Sequence, residues 1–167
     1  MNLLKKLPFL AFALLFINFT NAQAKASPAT VATGKINDAN ITINYSSPAV
    51  KGREIWGGLV PFDKVWRAGA NDATTFETDK DLTVEGKTLP AGKYSLFIIP
   101  NEKECTIIFN KEAKQWGAYK YDATKDELRV TVKPQIEKSS TESLVYNVNK
   151  NSVDVVWEKW KIAFRVK

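Results

Sequence analysis

The sequence predicts an all-β protein, a single-domain antiparallel β-sandwich. Three observations carry that prediction. Apolar and polar residues alternate at period two in several short stretches. Turn signals recur at roughly 8–12-residue spacing. No stretch sustains the 3.6-residue apolar period of a helix. A jelly roll is one variant of this architecture, and a distorted β-barrel is the alternative.

Taken in order, Val31–Ile36 and Ile41–Tyr45 flank the turn-rich Asn37-Asp38-Ala39-Asn40 and read as a hairpin. Ile41, Ile43 and Tyr45 alternate with Thr42 and Asn44, and Pro48 ends the run. Val50–Thr75 is a different kind of sequence, with two Trp, two Arg, four Gly and a Pro, and reads as an ordered loop between strands. Within it Ile55-Trp56 and Lys64–Arg67 are short extended pieces. Ala73–Thr78 and Leu82–Glu85 alternate as strands, and Leu89-Pro90-Ala91-Gly92 makes a tight turn. Lys93–Ile99 and Cys105–Asn110 are apolar on both faces and are expected in the middle of the core. Trp116–Tyr119 reads either as loop or as irregular strand, and Lys111–Gln115 or Ala123–Glu127 suits at most one helical turn. The sets Leu128/Val130/Val132, Leu144/Tyr146/Val148, Val153/Val155/Trp157 and Ile162/Phe164/Val166 each define a further strand, with Asn149-Lys150-Asn151 as a hairpin turn. About nine to eleven strands are expected on this spacing.

Met1–Ala24 has the pattern of a secretory signal peptide. Lys5 and Lys6 precede a 13-residue apolar run, Leu7–Phe19, and cleavage is expected near Ala22 or Ala24. That run is shorter than the ~20 residues of a spanning helix. Residues 25–167 are then one exported domain, periplasmic or extracellular, with no transmembrane segment. Losing two lysines and no acid lowers the net charge from +6 to a mildly basic value. The remaining lysines are scattered, so no nucleic-acid partner is expected.

The segments KGREIWGGLVP, VWRAGANDATTFETD, LPAGKYSLFIIP and FN(x)5WGAY, followed by the closing RV…W…F strands, occur in one order. As a set they resemble a secreted bacterial family, domain of unknown function 2911, over Ala29 to Lys167. Cys105 stands where that family's pattern leads one to expect Trp. The resemblance implies an exported or envelope β domain, joined to helical repeats in some longer relatives. It supplies no activity, substrate or catalytic residue.

The chain has no histidine and one cysteine. That removes histidine-dependent nucleophiles, His- or Cys-based metal sites and disulfide chemistry. Cys105, in an apolar run, reads as a small buried hydrophobe. No phosphate-cradling glycine motif occurs, and no cofactor, metal or catalytic residue is assigned. Asp63, Asp72 and Glu77 are the carboxylates a glycan hydrolase would use, although turn and solvent-facing roles explain them more simply. The candidate ligand-binding residues are Arg53, Trp56, Trp66, Arg67 and Asn71, with Tyr45 as a wall. Arginine offers a planar donor fork for carboxylate or phosphate, and tryptophan offers contact area. Trp116, Tyr119 and Tyr121 extend the aromatic surface that a sugar would stack on. The leading reading is a non-enzymatic envelope module for a small polar or anionic, glycan or peptide ligand. The alternatives are a carboxylate hydrolase and a structural domain that interacts with another protein.

Overall fold

The computed structural model describes residues 27–167, and the expected signal peptide lies outside them. Ten strands follow one another: β1 (Ala29–Ile36), β2 (Ala39–Ser46), β3 (Thr74–Thr78), β4 (Leu82–Val84), β5 (Lys87–Leu89), β6 (Gly92–Ile99), β7 (Cys105–Asn110), β8 (Asp126–Val132), β9 (Gln135–Val148) and β10 (Ser152–Arg165). Six form an antiparallel sheet in the order β1-β2-β3-β6-β7-β8, and β9 and β10 pair with each other, as do β4 and β5. No barrel closes. The strands of the large sheet run in chain order and do not alternate between layers, so the sandwich is built without jelly-roll crossovers. Among the described residues no helix is long and apolar enough to cross a membrane.

Alternation explains the layers. Ile43, Phe76 and Tyr94 stand opposite one another across β2, β3 and β6, and Leu96, Phe109 and Leu128 do so across β6, β7 and β8. These rows face inward. Against them pack Leu144 and Tyr146 of β9, Val153, Val155, Trp157, Ile162 and Phe164 of β10, and Leu82, Val84 and Leu89 of the small hairpin. The other face of β6 and β7 is also buried: Phe97 and Ile108 form a second cluster with Ala73, Val65, Ile99, Ala118 and Tyr121. That double burial is why these two strands read as apolar throughout.

β10 corrects one expectation. The sets Val153/Val155/Trp157 and Ile162/Phe164/Val166 have opposite parity and so suggest two strands. The structure makes them one, because Glu158 sits in a left-handed conformation (φ 54°) where the pairing with β9 shifts. An extra residue at such a bulge moves every later side chain to the other face. β9 likewise runs nine residues further toward its N-terminus than its apolar alternation shows. β5 is a strand where only the approach to a turn was visible. The first hairpin turns on two residues, Asn37-Asp38, with Ala39 already paired to Ile36.

Gly34 marks where β1 meets β9. A Cβ there would lie 2.5 Å from Val148 Cγ1, far inside contact distance. Gly34→Ala is therefore expected to cost about 1–3 kcal/mol, and trimming the neighbour in Gly34→Ala/Val148→Ala should restore part of that loss. Thermal unfolding of the single and double variants measures both effects. Cys105 is fully buried, and burial pushes its thiol pKa up. Iodoacetamide at pH 8 should leave the native protein unmodified and label it only in denaturant, as mass spectrometry would show.

Candidate functional site

The central stretch is pinned at both ends before it delivers any side chain. Ser47 Oγ donates to Leu144 O (2.7 Å), Leu144 N to Pro48 O (2.9 Å) and Val50 N to Glu142 O (2.7 Å), which stitches its entry to β9. Gly57 (φ 85°) turns beside Phe62, whose Cε2 lies 2.8 Å from where a Cβ would be, so only glycine fits. Trp66 then exchanges backbone hydrogen bonds with Ile98 and prolongs the line of β3 along β6. Ala68 adopts a left-handed conformation (φ 53°), held by Tyr146 Oη and Thr74 Oγ1 donating to its carbonyl at 2.6 and 2.9 Å.

The five candidate residues do not converge on one pocket. Trp56 and Trp66 are buried and belong to a cluster of four indoles: Trp56 stacks on Trp160 at 4.7 Å and Trp66 on Trp157 at 5.9 Å. Their ring nitrogens donate inward, to Trp157 O (3.4 Å) and Gly69 O (3.1 Å). Arg53 is exposed and donates back to Val50 O (3.1 Å) and Ala49 O (2.5 Å). With Trp56 it borders a hollow of about 440 Å³ that Glu54, Glu102, Glu158, Phe62 and Trp160 also line. Three carboxylates against one guanidinium give that hollow a negative field, which opposes an anionic ligand. Arg67 follows Trp66 onto the other side of the sheet and is half-buried, its Nε buried without a partner. Asn71 (φ 59°) donates to Ser46 Oγ (3.2 Å) and Ser27 O (3.4 Å), tying the start of the described chain to β2.

The carboxylates are also dispersed. Asp63 accepts from Asn101 Nδ2 (2.8 Å) beside Pro100, whereas Glu77 pairs with Lys93 (3.1 Å) at the opposite end of β6. Seven residues of strand separate these ends by ~23 Å. A glycosidase pair spans at most ~10 Å, so Asp63 and Glu77 do not form one.

Asp72 lines a cleft of about 450 Å³ on the outer face of the large sheet, which Lys93, the ion-pair partner of Glu77, lines as well. The cleft floor is a row of outward residues, Val31, Asn44 and Thr75, brought side by side by the pairing of β1, β2 and β3. Ser46 and Lys93 add hydroxyl and ammonium groups around it, whereas Thr30, opposite Tyr45, borders it only through its main chain. Tyr45 borders the cleft through its main chain, since its ring packs on Tyr146 in the inner layer (4.7 Å). Asp72 forms the far wall and is bridged antiparallel to Trp116. Ala73 N donates to Gln115 O (3.0 Å) and Gly117 N to Asn71 O (3.2 Å). Side chains directly opposite in such a pair share one face, so the Trp116 indole stands beside Asp72 at the rim. It is 62% exposed.

Trp116 is held there by the segment 111–125, which caps the outer face of β6 and β7. Asn110, fully buried, donates to Asp122 O (2.9 Å) and Asp126 Oδ1 (2.8 Å) and accepts from Gln115 Nε2 (3.1 Å). Ser95 Oγ donates to Glu112 O (2.6 Å). Tyr121 Oη donates to Asp126 Oδ2 (2.5 Å), which also accepts from Arg129 Nε (2.7 Å). Burial, reinforced by that carboxylate, raises the Tyr121 pKa and keeps the phenol a donor. The cap is thus an ordered platform. The sequence reading had Trp116 and Tyr119 in its aromatic set but did not find Asn44, Ser46 or Thr75. Their signal is the run of hydroxyl and amide residues on the outward positions of alternating strands.

Fold and surface together define a β-sandwich domain with an open cleft on its outer sheet, lined by apolar, amide, hydroxyl and charged residues. The chain belongs to the family described as Protein of unknown function (DUF2911), which it matches over residues 27–166. No curated protein and no solved structure matches it.

Asp126 is the node of the cap network, and Arg129 beside it is about half exposed. Asp126→Asn keeps the shape but loses charge-assisted bonds, and solvent screening at Arg129 limits the cost to about 1–2 kcal/mol. The expected result is a lower melting temperature together with faster amide exchange confined to residues 111–121, read by hydrogen-exchange mass spectrometry.

Proposed function

We propose that this is a non-enzymatic binding domain of the cell envelope, exported by its N-terminal segment, which holds a glycan in the outer-sheet cleft. The observation that carries the proposal is the exposed Trp116 bridged to Asp72, which lines the wall of a cleft floored by Asn44 and Thr75. A sugar ring has a face of C–H groups and a periphery of hydroxyls. The indole supplies area for the first, and the short amide, hydroxyl and carboxylate side chains supply partners for the second. The cleft volume falls within the range of small-molecule sites. Asn71 serves as a positioning residue here, because its amide fixes Ser46 at the cleft edge. Trp66 and Trp56 act in the core.

Binding is tested by titrating the protein with a panel of neutral and acidic oligosaccharides, followed by calorimetry and by the Trp116 indole NMR signal. Trp116→Ala should weaken binding by ~10-fold or more and, being a surface change, move stability by only ~0.5 kcal/mol. Asp72→Asn should weaken it further. Unchanged affinity in Trp116→Ala, or a panel that yields no ligand, would overturn the cleft as the site. Shortening of the sugars during the titration would overturn the non-enzymatic reading.

A further inference from the structure

Beyond the cleft, the cap carries a second set of groups whose chemistry is distinct. Tyr119 is 85% exposed, the largest exposure of any large apolar side chain among the described residues. Its ring is nonetheless placed. Gly117 turns with φ 64°, and a Cβ there would lie 3.0 Å from Tyr119 Cδ2 and Cε2. The ring therefore rests against the Gly117 backbone with its remaining surface toward solvent. Trp116 and Tyr119 flank this turn, so the aromatic surface continues outward from the cleft rim. An exposed aromatic pair held by a backbone contact is an area cost that packing does not explain.

Charge on the cap points to what covers that surface. Of its four lysines, Lys111 pairs with Glu127 (3.4 Å) and Lys125 with Glu112 (3.1 Å). Lys114 and Lys120 have no carboxylate within 4 Å among the described residues, and both are exposed. They bracket the aromatic pair in the chain: Lys114, then Trp116, Tyr119 and Lys120. Asp122, the remaining acid of the segment, is occupied by its own turn through Thr124 N (2.9 Å) and Oγ1 (2.7 Å). Within seven residues the cap thus carries two exposed lysines without an ion pair among the described residues and two exposed aromatic side chains. Among the described residues that line the cleft the charged ones are Asp72 and Lys93, and Lys93 pairs with Glu77 (3.1 Å). A ligand spanning both regions meets hydroxyl-binding groups at one end and positive charge at the other.

We propose that the ligand is an acidic glycan, one bearing carboxylate or sulfate groups. An internal sugar lies in the cleft, Trp116 and Tyr119 stack on successive units, and Lys114 and Lys120 take the anionic groups. This rests on the cleft reading and extends it to a ligand class.

The test uses hexagalacturonate and an alginate hexasaccharide, each compared with its methyl ester, and a chondroitin sulfate hexasaccharide compared with its desulfated methyl ester, so that every ester is uncharged. Affinities are measured by calorimetry at about 50 mM and about 300 mM NaCl, conditions that differ in how far exposed charges are screened. The expected result is at least one acidic hexasaccharide binding 10-fold or more tighter than its ester at low salt, with the preference lost at high salt. Lys114→Gln/Lys120→Gln should abolish the preference and leave binding of the ester unchanged. Tyr119→Ala should weaken both forms several-fold. Esters that bind as well as the acids, with Trp116→Ala still disabling, would overturn the acidic class and leave the cleft reading standing. Absence of binding by every member, with Trp116→Ala indistinguishable from the parent, would overturn both. An acidic peptide that binds with the same lysine dependence while the sugars do not would overturn the glycan.

Discussion

Four indole rings meet where the central stretch passes between the two layers of the sandwich. Trp56 lies on Trp160, Trp66 lies on Trp157, and Trp56 meets Trp66 and Trp157 edge-on at 5.6 and 6.1 Å. Two of these residues come from an irregular loop and two from β10. A loop of this length has no ladder of its own to hold it, so its order derives from the area these rings bury and the geometry in which they meet. Trp66 also hydrogen-bonds to Ile98 through its main chain, so the contact ties the loop to the large sheet as well as to β10. The left-handed turn at Ala68 and the path toward Asn71 and Asp72 follow from that anchoring. The outer cleft is therefore positioned by a contact on the opposite side of the sheet.

The outer face is organised by polar groups where the inner face is organised by apolar ones. Asn110 is fully buried yet satisfied by donors and acceptors from both ends of the cap, and Asp126 gathers Asn110, Tyr121 and Arg129 around one carboxylate. A buried network of this kind is favourable only when its members are paired. It converts a segment that is neither strand nor helix into a rigid support. An exposed aromatic on such a support offers contact area without a large ordering cost on binding.

The fold was largely readable because burial in a sheet leaves a period-two trace. β2, β3 and β8 announce themselves through alternating sets such as Ile41/Ile43/Tyr45 or Leu128/Val130/Val132, and β6 and β7 through unbroken apolar runs. What could not be read depends on partners distant in the chain. The parity change at Glu158 splits one strand into two apparent ones. The first half of β9 is exposed and has no apolar rhythm, so its pairing with β10 and with Ala49 leaves no local mark. The fate of Trp56 and Trp66 was open for a similar reason, because an indole suits a core or a ligand equally well until its neighbours are known. Asn44, Ser46 and Thr75 form one surface only through lateral register between strands. That adjacency has no signature in spacing along the chain. Trp116 was visible as chemistry but not as a place.

β10 brings Val153, Val155, Trp157, Trp160, Ile162 and Phe164 into the core, and beyond it Val166 and Lys167 close a bridge with Val84 and Thr83. Most of the inner layer facing the six-stranded sheet is thus supplied by the last element of the chain. Contacts of such long sequence separation are slow to form, because the entropy of closing the loops is lost before the contacts reward it. Without β10 the six-stranded sheet would leave Phe76, Phe109 and Leu96 uncovered, so the core is complete only once this distant element has docked.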